Sequence, residues 1–441
     1  MSMKNDLSQR NAADIFHAVL KAIDPYGLVK ERIEEIRSIY REGNCGKLHL
    51  ISFGKAAYPM TKAVSDFVDD LLRKGIMITK YGHVPEGAVS PKIDVFEAAH
   101  PVPDLQGVLA TEGVIGLLEK ADSATLVVCL ISGGGSALLV APHRDISLAE
   151  KQELTQLLLK AGANIQELNA VRKHLSRIKG GRLAEIAYPA RVLSLILSDV
   201  IGDHVDVIAS GPTSPDKTTF QDALKVIKRY GLGDNIPEKA SLILIRGAAG
   251  EIPETPKEGN PVFARVQNII VGSNKKAIET AKREAESRGY KATIISSELQ
   301  GEARGAAAWL ARKAMEARRG LAGWSQGKTC LISGGETTVT VRGNGMGGRN
   351  TELALAFALE IKGIKGITLL SAGTDGTDGL TDAAGAVVDG GTIERAEAAG
   401  INSGDYLRNN DSYHFFKAAG GLFITGPTGT NVMDLQIILL D

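Results

Sequence analysis

TLVVCLISGGGSALL, residues 125–139, sets the fold class. A near-continuous apolar run suits a strand buried on both faces, and the Ser-Gly-Gly-Gly-Ser that ends it suits a tight turn into a helix. The same grammar recurs on either side. Upstream, the pattern predicts strands over 48–53, 76–80 and 93–98 and a helix over 105–120. Downstream it predicts helices over 148–161, 166–177 and 182–187 and a strand over 192–197. Two helices, 12–23 and 26–41, precede the first strand. Alternation of short apolar runs with amphipathic helices indicates mostly parallel sheets covered on both faces.

A break comes at GAAGEIPETPKEGNP, residues 247–261, rich in Gly, Pro and Glu and without apolar period. It reads as a linker or long loop. The rhythm then restarts, with strands over 267–271, 292–296, 329–333, 367–371 and 436–440 and helices over 275–288, 302–317 and 351–362. Residues 337–341 are expected to fold back as a hairpin strand. The expected architecture is α/β with two domains. Residues 1–246 form a Rossmann-like parallel sheet with flanking helices, and residues 262–441 form a second α/β domain.

With 441 residues, each domain is large enough to bury its own core. Lys+Arg and Asp+Glu both number 51, so no global field draws the chain to nucleic acid or an anionic membrane. The three cysteines, Cys45, Cys129 and Cys330, show no CxxC spacing and point to a reducing cytoplasm. The first residues carry no apolar signal core, and no apolar run reaches membrane-spanning length. Glycine stands out, with 50 residues in clusters. Clustered glycine permits positive-φ turns and close approach of backbone N–H groups to a ligand.

Open α/β sheets bind ligands outside the carboxyl ends of their strands, and the polar clusters of this chain fall there. Gly54 and Lys55 follow the first strand, where a lysine can neutralise a transferring phosphoryl group. Ser132, Gly133, Gly134, Gly135 and Ser136 offer a backbone cradle for an oxyanion. SDVIGD places Asp199 and Asp203 four apart, and SAGTDGTDG places Asp375 and Asp378 three apart. These hard oxygen donors suit Mg²⁺, with Asp199, Asp203 and Asp378 as expected ligands and Asp199 or Asp203 as an alternative proton acceptor. Asn169, Arg172 and Lys173 lie in the basic stretch NAVRKHLSRIKGGRLA, the best local anion patch of a neutral chain.

CLISGG occurs twice, at residues 129–134 and 330–335, and the second copy replaces the third glycine with Glu336, an acceptor for a hydroxyl or metal-bound water. The two loops could face each other across a cleft. GNGMGG, residues 343–348, formally matches GxGxxG, but the context is not a clean βαβ unit. It reads instead as a flexible loop over phosphates through Gly347 and Gly348, with Arg349 gripping an anion. GWSQGKT, residues 323–329, resembles a Walker loop but is one residue short and precedes a strand, so it is a decoy.

FGKAAYPM, HPVPD, SGGGSALL, LSDVIGD, ASGPTSPD, SGGETTV, GGRNTELAL, SAGTDGTDG and TGPTGTNVMDLQI, in this order and with the basic stretch among them, span nearly the whole chain. Together they resemble the glycerate 2-kinase family, whose C-terminal part is the MOFRL domain. The resemblance implies two α/β domains, transfer of phosphate from ATP to the 2-hydroxyl of D-glycerate, and a divalent metal. Carried over by position, it assigns functional roles to Lys55 and Arg349. Met433 stands where related sequences often carry a polar residue. D-Glycerate and ATP are the expected partners, with no nucleic acid and no membrane, and the chain is expected to be a monomer or homodimer. An NAD(P)H-dependent hydroxypyruvate reductase is the rival reading, and a non-catalytic sensor of sugar acids or nucleotides the second.

Overall fold

The computed structural model describes residues 3–85, 89–320 and 327–441. It holds two six-stranded sheets. The first contains β1 (Lys47–Phe53), β2 (Leu72–Lys80), β3 (Ile93–Ala98), β4 (Thr125–Ile131), β5 (Arg191–Leu197) and β6 (Val266–Gly272), in the order β3-β2-β1-β4-β5-β6. β1 runs parallel to β2 and β4, as β2 does to β3 and β4 to β5. This is the Rossmann strand order, and it reverses direction between β1 and β4. The apolar run that opened the sequence is the reason β4 sits centrally, since all seven of its residues are buried.

The second sheet contains β7 (Lys291–Leu299), β8 (Thr329–Gly335), β9 (Ile367–Gly373), β10 (Gly385–Asp389), β11 (Leu422–Phe423) and β12 (Asp434–Leu440), in the order β11-β10-β9-β12-β8-β7. It is mixed: β12 is antiparallel to both β8 and β9, and β7 is parallel to β8. The hairpin strand expected over 337–341 does not form. Both edges of β8 are already taken, by β12 and β7, so a returning strand has nothing to pair with. Thr338 instead bridges to Glu302.

The chain divides into two compact units, Pro25–Val271 and Met1–Asp24 with Gly272–Asp441. The boundaries expected at 246 and 262 are thus displaced, for two reasons. β6 follows the presumed linker yet pairs into the first sheet. The N-terminal helix Met3–Ala22 packs on β9 and β12, burying Ile15, Phe16 and Val19 fully. The segment read as a linker is a tied surface strap: Glu254 accepts from the Phe220 amide at 2.8 Å, and Thr255 donates to buried Asp216 at 2.9 Å.

Helix Phe220–Arg229 and helix Glu238–Ala248 add elements the sequence reading left out, and they close a helical core with Leu154, Leu158 and Val171. The cysteines are free and buried. Among the described residues no helix is long and apolar enough to cross a membrane.

Candidate active site

The crevice outside β1 and β4 is the place where this strand order invites a ligand. Two loops are knitted together there. The Lys55 amide donates to the Gly133 carbonyl at 2.8 Å, and the Ser132 amide to the Phe53 carbonyl at 3.1 Å. The Ala56 amide donates to Ser132 Oγ at 3.1 Å. Gly54 makes this possible: at φ +123° it has no Cβ, and one would lie 2.1 Å from Ser132 Oγ and 2.5 Å from the Ser132 carbonyl oxygen. Gly54→Ala should therefore cost about 3 kcal/mol or more in unfolding free energy, through positive φ and backbone overlap together. A urea titration checks this; a shift below about 1 kcal/mol would mean the loops can separate without cost.

Asp199, two residues past β5, lies against the same loop. A Cβ on Gly133 would come within 2.4 Å of its Oδ2. Burial raises its carboxyl above the ordinary carboxylate value, opposed by the Lys55 ammonium and a hydrogen bond from the Gly134 backbone. Lys55, Asp199 and the glycine loop thus form one constellation. Part of the expected anion cradle is directed at Asp199 in this state.

Behind the loop, Ser136 Oγ lies 2.8 Å from Ser210 Oγ, which donates to Asn169 Oδ1 at 3.0 Å. Lys179 is buried and donates to the carbonyls of Ser136 and Leu139 at 2.9 and 3.2 Å, fixing the turn. Its ammonium is pulled well below the ordinary lysine value by burial and by Lys151 and Arg172.

His100 completes the site and was missed by motif reasoning, although HPVPD was visible. A Cβ on Gly134 would touch its ring at 3.0 Å and Lys55 Cγ at 3.3 Å. Burial, then Lys55, Lys80 and His83, lower its pKa to about 4, so the imidazole is neutral at pH 7. The unfolded chain takes up this proton near the ordinary histidine value. Stability from His100 is therefore complete above about pH 6.5 and is lost as pH falls towards 4. His100→Gln should flatten the decline in melting temperature between pH 6.5 and 4 relative to wild type, measured by thermal melts; parallel declines would remove His100 from the acid response.

Other expected residues go elsewhere. Lys173 is corrected from ligand binding to structure: it pairs with Asp216 at 3.1 Å, with the two side chains 4% and 0% exposed. Arg177 and Arg182 donate to the Pro142 and Pro253 carbonyls, so the basic stretch is largely tied down. Arg172 faces a pocket it shares with Gly134 and Ser136. Asp203, at φ +53°, opens on a different pocket with Asp206, Lys217 and Lys257.

In the other unit, Asp434 begins β12 opposite Gly335 of β8 and Gly373 of β9. Arg349, at the start of helix Arg349–Glu360, grips it with both prongs, Nε to Oδ2 at 2.6 Å and Nη2 to Oδ1 at 2.9 Å. Nη1 meets Glu336 Oε1 at 2.9 Å. Burial pulls the guanidinium pKa down, but Asp434, Glu336 and Asp378 together hold it above its ordinary value. The fork expected to grip an anion is thus occupied by Asp434, a residue the motif reading did not single out. Asp375 lies nearby: a Cβ on Gly373 would come within 3.2 Å of its Oδ1 and 3.4 Å of Asp434 Oδ1.

Asp378 is corrected from metal ligand to helix cap. It accepts from the amides of Asn350 and Thr351 at 2.9 and 2.8 Å and from Thr351 Oγ1 at 2.7 Å, and it is 1% exposed. Gly347 and Gly348 are packing positions: Cβ atoms there would lie 2.3 Å from Ser412 Oγ and 2.4 Å from Asp378. The amides of Arg342, Asn344 and Met346 are taken by Asn410, Asn409 and Asp411, so GNGMGG is pinned, not a loose phosphate flap.

The second CLISGG differs from the first in kind. Its glycines belong to β8, and Asn274 Oδ1 occupies the space of a Gly334 Cβ, at 1.9 Å. Residues 323–326 of the GWSQGKT decoy lie outside the described residues. Among the described residues no three His, Cys, Asp or Glu side chains cluster to hold a metal.

The chain as a whole is similar to known proteins. A model described as a domain of unknown function (DUF4147) matches residues 11–244, and the MOFRL family model matches residues 329–434. A D-glycerate 2-kinase from Thermotoga maritima is 44% identical over 97% of this chain and 97% of its own. The chain belongs to the glycerate 2-kinase family. The crystal structure of a glycerate kinase from Thermotoga maritima matches with a TM-score of 0.89 at 42% identity, covering 99% of this chain and 100% of that one. Within the family's reach also stands a putative hydroxypyruvate reductase of Agrobacterium vitis, 41% identical over 99% of this chain and 95% of its own.

Proposed function

We propose that this protein is a kinase that transfers the γ-phosphoryl group of ATP to the 2-hydroxyl of D-glycerate, giving 2-phosphoglycerate and ADP. Likeness along the full chain to a D-glycerate 2-kinase supports the substrate and the reaction. The observation that carries the chemistry is the junction of Lys55, the Ser132–Gly133 loop and Asp199 at the turning point of a Rossmann-order sheet. Phosphoryl transfer asks for positioning and charge neutralisation more than for covalent chemistry. Lys55 supplies a point charge for the transferring group. Asp199, raised by burial, accepts the hydroxyl proton. Arg349, braced by Asp434, presents a rigid cation beside Glu336.

The predicted trio Asp199, Asp203 and Asp378 does not fit a dedicated metal cage, because Asp378 is consumed by a helix cap and Asp203 lines another pocket. Mg²⁺ characteristically keeps its waters and binds substrate phosphates, so it would enter with ATP. Three free buried cysteines suit a reducing compartment, and we place the enzyme in the cytoplasm on that ground.

The test is product identification by phosphorus NMR after incubation with D-glycerate, ATP and Mg²⁺. The expected product is 2-phosphoglycerate with equimolar ADP. A 3-phosphoglycerate signal would overturn the position of transfer. A parallel incubation with hydroxypyruvate and NADH addresses the name carried by the Agrobacterium vitis relative; NADH oxidation without any ADP release in the first mixture would overturn the kinase.

A further inference from the structure

Beside the glycine loop lies a pocket of about 310 Å³, walled by the Gly134–Ala137 turn, the His100–Pro103 segment and helix Leu148–Lys160. Its floor carries two cations, Lys151 and Arg172. Lys151 is 9% exposed, and among the described residues no carboxylate pairs with either group. Arg172 Nε is buried without a hydrogen-bond partner, as is Asn169 Nδ2 behind the loop.

Two neighbouring cations taken out of water with no carboxylate of the described residues beside them are costly, so the fold holds them at the expense of its own stability. Burial and Arg172 lower the Lys151 ammonium to about 8, which leaves it mostly charged at pH 7. The mouth is of opposite character. Val102 and Leu159 are 52% and 55% exposed beside Pro101 and Pro103. D-Glycerate bears an oxygen on every carbon and has no use for such a wall. A nucleotide has both an anionic chain and an apolar planar base.

We propose that this pocket is the nucleotide site, with Lys151 and Arg172 taking the phosphate chain and the wall of Val102 and Leu159 taking the base. The proposal rests on the kinase reading for the identity of the ligand. It places the reacting end of the chain at the Gly134–Ser136 turn, which lines the pocket and also borders Lys55. Sequence carried a faint signal for Lys151: it shares a helical stripe with buried Leu154 and Leu158.

ADP binding to the full chain, followed by calorimetry, tests this with Lys151→Gln and Leu159→Ser. Lys151→Gln should weaken ADP by about tenfold or more, the range for a lost charge-assisted hydrogen bond. The KM for ATP should rise in step and the KM for D-glycerate should stay within about twofold. The melting temperature of the ligand-free variant should hold or rise, because an unpaired buried charge is gone. That outcome separates ligand binding from a structural role. Leu159→Ser should weaken ADP but leave inorganic triphosphate unchanged. Unchanged ADP affinity in both variants, or a rise confined to the glycerate KM, would overturn the assignment. If wild type binds ADP through Lys151 yet makes no phosphoglycerate, the kinase reading fails and the pocket stands; if wild type binds no ADP, the pocket assignment fails whatever the product.

Discussion

Lys55→Met should lower kcat for glycerate phosphorylation by about a hundredfold to a thousandfold, the loss seen when a preorganised charge or donor is removed from a transition state. The position of the residue does not depend on its side chain: its amide is bonded to the Gly133 carbonyl, and Gly54 sets the turn before it. Methionine can keep the stem and drop only the charge, so the melting temperature should move little. The substitution carries a second signature. Lys55 opposes the burial that raises the Asp199 carboxyl, so removing it should raise that group further. A carboxylate that must be ionised to accept a proton then loses activity at higher pH. The acid limb of the kcat profile should move upward in Lys55→Met. A kcat within tenfold of wild type would remove Lys55 from the transition state, and an unmoved acid limb would separate Asp199 from the residual turnover.

The parts of this site legible in the sequence are those fixed by local chemistry. An apolar run ending in glycine can hardly be anything but a buried strand and a turn, and β3 and β4 fall where the pattern put them, at 93–98 and 125–131. Gly54 and Lys55 were legible for the same reason. What stayed hidden depends on partners far along the chain. Asp434 lies just before the strand expected over 436–440 and draws no notice until Arg349, 85 positions earlier, is seen gripping it. Lys173 and Arg172 look alike in NAVRKH, yet one is neutralised by Asp216 and the other faces a pocket. The CLISGG pair makes the same point. One copy turns at the reversal of its sheet; the other ends a strand under Asn274. Unit boundaries were hidden because β6 and the first helix each join a sheet that lies across the composition break.

Arg349→Ala should cost about 3–5 kcal/mol of stability as well as most of the activity. The reason is Asp434, which is fully buried between the ends of β8 and β9 and holds both prongs of the guanidinium. Without the arginine an uncompensated carboxylate stays where water cannot reach it. A loss of activity in this variant alone therefore says nothing about substrate, because a damaged strand junction would give the same result. The double variant Arg349→Ala with Asp434→Asn separates the two. Asparagine keeps the shape and removes the stranded charge, so urea unfolding should recover at least half of the lost stability. If Nη1 exchanges Glu336 for a substrate anion, kcat/KM for D-glycerate should remain depressed by about a hundredfold in the double variant, as expected for a lost charge-assisted contact. Recovery of activity along with stability would show that Arg349 serves only to neutralise Asp434. A guanidinium already satisfied on two sides by Asp434 can offer a substrate only the nitrogen it now shares with half-exposed Glu336, which is why the double variant decides between the two roles.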